Sequence, residues 1–569
     1  MGDQLDVRAR HARRHLEGLY SGPLVEKKAG DSRSGFFLWL PTSQAVDWDF
    51  FSSDGESATA WIHVPSLAGR PGEGEPPAKL GELLVNGTLR LDQFGAPFAL
   101  ATWRTGKLIL VNDLVGLVRL FHYRFIGGDV WTTRQGLGHV FMAEEPTINR
   151  SAWASMATTG WALNGDTQLG DGCHVPGATK IISRHDEFGR SVHQSNSFGD
   201  WLEWAQKEKP PSKESYLRDI EAQMLVSSRW EQMASADLSG GKDSRLIAAV
   251  GIRAGLIASL KTINSDAGEV DTAKKLVQLL EKPIEHRISS PDYSVEREGL
   301  IHRLRSLHRA FEGRYVAATA VKAPFFEHFR FRSAARFNGL TGPYGADYRK
   351  EERWKEFENL SPSRARSRLQ HRVLRSFASA DAKKLVLNQI DVFMAEVNGL
   401  GLQKAGEVMD FFHFRRKMPH WTVPSAQANT IFPLLSTSIF IRSFQMDNSV
   451  FADHQRALIR IANPAWARVP FYSPSLSTRT KPWIWNLPYW SKTADFVLGA
   501  VESQTNFEPA EVATIVRNIR NQEDAGQSEE RLLERLVFQL TFDHYVDVVR
   551  QAARACKFAL KLRNARHFG

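Results

Sequence analysis

The chain has 569 residues, of which 42% are apolar and 24% charged, with a formal net charge of +10; that is the composition of a globular protein, long enough for about two to four domains of roughly 100 to 200 residues each. No run approaches the ~18 uninterrupted apolar residues of a membrane span, and the N-terminus, with Arg8, Arg10, Arg13 and Arg14, lacks the apolar core of a secretory signal, so a cytoplasmic protein with no membrane partner is expected. The two cysteines, Cys173 and Cys556, stand far apart without neighbours at metal-ligand spacing, which excludes a disulfide framework or zinc knuckle and makes both read as inert core thiols.

Residues 35 to 135 read as many short strands: Gly35–Leu40, Ala60–Val64, Phe98–Trp103 and Leu108–Val111, separated by turn signals at Asp54-Gly55, between Pro71 and Pro77, and at Thr105-Gly106. This pattern predicts an α+β domain rich in antiparallel sheet. A helix is expected from Trp153 to Leu163, then a turn at Pro176-Gly177. The polar run Gln206–Lys213, with Pro210-Pro211 inside it, reads as a linker. The boundaries are therefore 1–205, 206–213 and 214–569.

The stretch with the clearest chemistry follows. Leu238-Ser239-Gly240-Gly241-Lys242-Asp243-Ser244 lies between a strand pattern and a helix whose apolar positions are Leu246, Ile247, Val250 and Ile252, with Gly255 as its stop. Two glycines let the backbone present its N–H groups to a ligand with no Cβ in the way, the serines add hydroxyls, and the positive end of the helix points at the same place. This is a phosphate cradle. A bare carboxylate would repel phosphate, so Asp243 reads as a ligand for a magnesium ion that bridges to it.

A strand from Ile257 to Asn264 and a helix carrying Val270, Ala273, Leu276, Val277 and Leu280 come next, an alternation that predicts a doubly wound parallel sheet. A second glycine-rich stretch runs Gly339-Leu340-Thr341-Gly342-Pro343-Tyr344-Gly345-Ala346-Asp347-Tyr348. Residues 350 to 470 read as mostly helical with breaks near Pro362 and Pro419; His413, His420 and Trp421 there are candidates for a cleft wall or for core. Leu532 to Leu562 reads as one long amphipathic helix. The basic residues are spread along the chain, with mild concentrations from Arg364 to Arg375 and Arg550 to Arg566, which argues against a nucleic-acid footprint.

These motifs resemble the asparagine synthetase family within the ATP pyrophosphatase superfamily. The loop S-G-G-x-D-S matches its pyrophosphate-binding loop, the order of strands through Asp113 and Gly116 is similar to its amidotransferase half, and Thr341, Gly342, Gly345 and Asp347 match its second loop with one extra residue. The resemblance implies an N-terminal α+β amidotransferase-like sandwich followed by an α/β doubly wound adenylating domain with a helical subdomain. It implies ATP and Mg2+ as cofactors, with Leu238, Ser239, Gly240, Gly241, Lys242, Asp243 and Ser244 on the phosphates, Ile263 and Ser265 at the adenine, Thr341 and Gly342 against the nucleotide, and Asp243 and Asp347 on the metal. Lys481, in Ser477-Thr478-Arg479-Thr480-Lys481, stands near the family's lysine for the α-phosphate, with Arg479 beside it.

Three departures shape the reading. Glutamine-dependent members begin with a nucleophilic cysteine after methionine removal, whereas residue 2 is Gly2, so that half is expected to be a scaffold and the amine to come from elsewhere. The glutamate inside the second loop has no counterpart, and Tyr348 follows Asp347 where the family has another. Tyr344 stands where the β-lactam synthetases have a catalytic tyrosine; whether Tyr344 or Tyr348 takes the proton is open. The resemblance is therefore greatest to lasso-peptide macrolactam synthetases, which implies a precursor peptide as substrate and a leader-binding protein or leader peptidase as partner. An ammonia-dependent asparagine synthetase, a β-lactam synthetase-like enzyme, a tRNA-modifying pyrophosphatase and a non-catalytic binding protein are the alternatives.

Overall fold

The structure is a computed structural model that describes residues 2–20, 22–31, 34–41, 51–63, 66–67, 77–88, 91, 94–95, 97–125, 128–161, 163, 167–186, 189–209, 212–264, 267–289, 299–314, 317–320, 326–327, 329, 334–339, 354–421, 429–435, 448–472, 490–500, 506–520 and 527–567. It is a mixed α/β protein with several sheets, one of them parallel, and many helices. In the first third, a six-stranded antiparallel sheet runs in the spatial order Gly189–Asn196, Thr179–Asp186, Lys107–Asn112, Ala99–Arg104, Ser57–Ile62, Phe51–Ser53. Its central hairpin pairs Arg104 with Lys107 across Thr105-Gly106, and Gly106 takes φ +70°, a left-handed conformation that glycine adopts without a Cβ clash. A three-stranded sheet, Gly128–Thr132, Leu120–Phe125 and Gly172–Val175, stands beside it.

Between these sheets the chain turns at Asp113. Its buried carboxylate accepts the backbone N–H groups of Phe98, Val115, Gly116, Leu117 and Val118 at 2.7 to 3.3 Å, and Gly116 sits at φ +76°. A Cβ on Gly177 would lie 2.4 Å from Gly116 N, so the Pro176-Gly177 turn packs backbone to backbone on this one.

The second half contains the parallel sheet. Its strands are labelled β1 (Gln232–Asp237), β2 (Ile257–Ile263), β3 (Glu285–Ser289), β4 (Ala334–Phe337) and β5 (Thr430–Ile431), and they lie in the order β3-β2-β1-β4-β5. All four pairings are parallel. Helix α1 (Lys242–Arg253) follows β1 and α2 (Ala267–Gln278) follows β2, while α3 (Asn448–Ala462) packs on α1. The order reverses at β1, so the crevice outside its carboxyl end is the topological switch point of the sheet. Ala234, Ala236, Leu246, Ile247, Leu260 and Leu276 form the core between sheet and helices.

The largest apolar core combines sequence-distant parts: Trp153 from the helix Arg150–Thr159 packs on Phe542 at 4.7 Å and Phe538 at 6.1 Å. Beside it, the fully buried Glu312 accepts from Gln135 N (2.9 Å), Gly136 N (3.0 Å) and the Tyr545 hydroxyl (2.7 Å), with Arg134 and Arg314 each at 3.6 Å. Burial alone would push its pKa up; the two guanidiniums and the hydroxyl bring it below the ordinary glutamate value.

Three expectations are corrected. The single long helix over 532–562 is two, Gln527–Leu540 and Asp543–His567; Thr541 Oγ1 bonds back to the Val537 carbonyl at 2.8 Å, and the turn sends Phe542 into the core. Pro419 does not break the helical run, because a π-helical turn at His413–Lys417 precedes it inside Ala405–Trp421 and makes room for its ring. Cys173 is exposed rather than a core thiol, whereas Cys556 is buried: the face it shares with Val175 and Leu120 is covered at those two residues and reaches solvent at Cys173. His413 and His420 are buried, so of the two roles open to them they take the core one. Among the described residues no helix is long and apolar enough to cross a membrane.

Members of the two basic stretches have partners within the chain. Arg372 lies over the Trp161 ring at 4.8 Å and Arg368 over Phe357 at 5.1 Å, while Arg554 pairs bidentately with Glu145 at 2.8 Å.

Candidate functional site

The site forms where β1 ends. Leu238 N donates to the Lys261 carbonyl at 2.8 Å and Thr262 Oγ1 to the Leu238 carbonyl at 2.8 Å, which fixes the departing chain against β2. The loop then organises itself through its two serines: Ser239 Oγ and Ser244 Oγ are 2.7 Å apart, Ser239 N donates to Ser244 Oγ at 3.1 Å, and Gly241 N donates to Ser239 Oγ at 3.1 Å. Gly241 is the N-cap of α1, with no side-chain cap on that end. The serines therefore hold the loop shape at the start of α1, where the positive end of the helix dipole draws an anion.

Close packing explains the glycines. A Cβ on Gly240 would meet Tyr472 Cβ at 2.4 Å, and one on Gly268 would meet the Tyr472 ring at 2.5 Å, so Tyr472 lies between the loop and the start of α2. Tyr472 N donates to the Gly240 carbonyl at 2.9 Å. On the other side, a Cβ on Gly339 would lie 2.7 Å from Ser244 N and 3.0 Å from Asp243 C. The first residue of the second glycine-rich stretch thus rests on the first turn of α1.

Asp243, in that first turn, accepts a hydrogen bond of 2.6 Å from Gln455 Nε2 of α3. Gln455 is fully buried and its Oε1 has no hydrogen-bond partner. A carboxylate oriented by an amide, beside an unsatisfied oxygen acceptor, suits a hard, oxygen-seeking cation such as magnesium, which is held by one or two carboxylates plus phosphate oxygens. Among the described residues no group of three or more His, Cys, Asp or Glu forms a self-sufficient metal cage. Ile263 closes β2 with a half-exposed side chain, 49% accessible, an apolar surface beside the loop that a flat ring can cover.

Four supporting residues were missed by sequence reasoning: Gln455, Arg336, Asn338 and Arg245. Arg336 on β4 grips Asp237 at the end of β1 with Nε and Nη2 at 2.7 to 3.1 Å, and Asn338 Nδ2 adds a bond of 2.9 Å. This neutralises a carboxylate that would otherwise repel phosphate at the loop. Arg245, 1% exposed, donates to the carbonyls of Gly240 (3.1 Å), Val469 (2.6 Å), Pro470 (3.0 Å) and Trp466 (3.3 Å), and lies 4.7 Å over Phe471. Burial, reinforced by Arg456, brings its pKa down to about 10. Arg245 has a signal in the sequence, a lone cation on an otherwise apolar helix face; Arg336 and Gln455 have none.

Leu238, Ser239, Gly240, Gly241, Lys242, Asp243, Ser244 and Ile263 thus come together at the switch point. Ser265, Thr341, Gly342, Tyr344, Asp347, Tyr348, Arg479 and Lys481 lie outside the described residues. No protein-family model matches the sequence, and no curated protein matches it.

Proposed function

We propose that the chain binds magnesium-ATP at the Ser239–Ser244 loop, adenylates a substrate carboxylate and passes it to an amine to form an amide. The observation that carries this reading is the serine-braced loop with its uncapped helix end at the switch point of a parallel sheet, with Asp243 set beside it. In this reading the parallel-sheet half is the adenylating domain and the first half an amidotransferase-like sandwich kept as scaffold. The carboxylate oxygen attacks the α-phosphorus and the bond to the β-phosphate oxygen breaks. The leaving pyrophosphate is taken by the α1 amides and the loop backbone, and the amine then displaces AMP from the acyl carbon. Asp243 and Asp347 would hold magnesium, which supplies charge neutralisation on the phosphates. Lys481, with Arg479, meets the charge that builds at the α-phosphate, and Tyr344 or Tyr348 takes the amine proton.

The resemblance to lasso-peptide macrolactam synthetases makes the substrate a precursor peptide, closed between its N-terminal amine and an Asp or Glu side chain. The test is release of pyrophosphate and AMP from ATP with no substrate, with aspartate and ammonia, and with a precursor peptide encoded beside the gene, each repeated with Asp243→Asn. Peptide-dependent turnover with loss of one water from the peptide mass, abolished in the variant, is expected. Turnover with aspartate and ammonia alone would make the protein an asparagine synthetase instead.

A further inference from the structure

The three-stranded sheet carries a cluster unrelated to the phosphate loop. Cys173 pairs directly across from His122, and Trp131 pairs with His122 from the other side. Residues opposite each other in an antiparallel pair project to the same face, so Cys173, His122 and Trp131 share one face, with Asp129 two residues from Trp131 and Arg124 two residues from His122. His122 Nε2 is 2.6 Å from Asp129 Oδ1, and Cys173 Sγ is 3.9 Å from His122 Nδ1. The Asp129 side chain is 2% exposed, Cys173 is exposed, and the imidazole stacks on Trp131 at 5.1 Å and 9°.

The chemistry follows from which nitrogen holds the proton. A carboxylate accepts, so His122 donates Nε2–H to Asp129, which leaves the Nδ1 lone pair facing the thiol. The charged groups around the ring are Asp129, Arg124, 3.6 Å from Asp129, and Arg190 from the neighbouring sheet, which pairs with Asp129. Burial, then Arg124 and Arg190, lower the pKa of His122, so the ring is neutral and able to take a proton at neutral pH. Both arginines place positive charge at Asp129, on the Nε2 side of the ring.

We propose that Cys173, His122 and Asp129 form a nucleophilic thiol site that exchanges with small disulfides bearing carboxylates. The Cys173 proton moves to His122 Nδ1, the sulfur attacks one sulfur of the disulfide, and the S–S bond breaks. The departing thiolate takes the proton from His122, leaving a mixed disulfide on Cys173. Arg124 and Arg190 select an anionic partner.

The test uses the full-length protein and two chromogenic disulfides, anionic 5,5′-dithiobis(2-nitrobenzoate) and neutral 4,4′-dithiodipyridine. Cys173 is expected to react about tenfold faster than free cysteine at pH 7, with a rate that levels off by about pH 7 instead of rising toward the ordinary thiol value near 8.5. Cys173→Ser removes the fast phase, buried Cys556 reacting only on unfolding. His122→Gln is expected to slow it at least about fivefold and restore the ordinary profile, and Arg190→Gln to slow the anionic reagent more than the neutral one. Reaction of Cys173 at the rate and pH midpoint of free cysteine in the unmodified protein overturns the proposal whether or not the variants fold. An anionic-to-neutral rate ratio equal to that of free cysteine overturns the selectivity.

Discussion

Two loops in this molecule use the same residues to opposite ends. At Asp113 the aspartate turns inward and accepts five backbone N–H groups, four from its own turn and that of Phe98, so its carboxylate is spent on the protein's own backbone. At Ser239–Ser244 the serines satisfy each other and the turn, Asp243 is held by Gln455 on a different helix, and the end of α1 has no side-chain cap. An aspartate next to a glycine turn is thus a frame when its carboxylate closes on the turn, and a site when something else closes the turn for it.

The comparison is tested most severely by exchanging roles. Asp113→Ala leaves five amides without their buried acceptor and is expected to cost about 3 to 5 kcal/mol of stability, read by denaturant unfolding. Any loss of ATP turnover should follow unfolding alone. Asp243→Asn, which keeps the side chain's shape, is expected to leave stability within about 0.5 kcal/mol while cutting pyrophosphate release by about 10²- to 10³-fold. If Asp243→Asn destabilised as Asp113→Ala does, the second loop would be a frame as well.

Acid separates the halves by a smaller amount. His139, in the helix Gln135–Met142 that connects two strands of the three-stranded sheet, is fully buried with its edge against Tyr123 at 5.1 Å. Burial lowers its pKa to about 4. A histidine depressed in the folded state is no burden above its unfolded pKa near 6.5 and becomes one as pH falls toward 4, because only the unfolded chain takes up the proton. At pH 5 this amounts to about 2 kcal/mol. His139→Phe, keeping the aromatic contact, should therefore flatten the fall in stability between pH 7 and 5. His286, beside the loop and bonded to Thr262 at 2.8 Å, is also shifted down, by partial burial and then by Lys274.

What was readable in the sequence depended on distance along the chain. The β1 loop and α1 were legible because every feature that makes them, Gly240-Gly241, the two serines, the apolar periodicity and the Gly255 stop at φ +70°, lies within twenty residues. The same holds for the hairpin at Thr105-Gly106. Illegible were contacts between segments hundreds of residues apart, Gln455 to Asp243 and Arg245 to Val469, because nothing local marks their partners. Cys173 was misread for a different reason: burial along a strand changes where the sheet runs out of cover, and periodicity alone does not mark that point.

The finest test of the comparison is Ser244, which belongs to both sides of it. Its hydroxyl accepts from Ser239 N and shares a hydrogen with Ser239 Oγ, so it is part of the frame, yet its own backbone lies in the first turn of α1, against which Gly339 packs. Ser244→Ala removes the hydroxyl and leaves Ser239 N–H without its partner, a loss of about 1 kcal/mol. With the frame loosened and the amides intact, ATP should bind less tightly while bound ATP still reacts, so KM for ATP should rise several-fold with kcat changed less. A fall in kcat with KM constant would mean the hydroxyl touches the transferring phosphate itself, and Ser244 would then belong to the chemistry rather than to the frame.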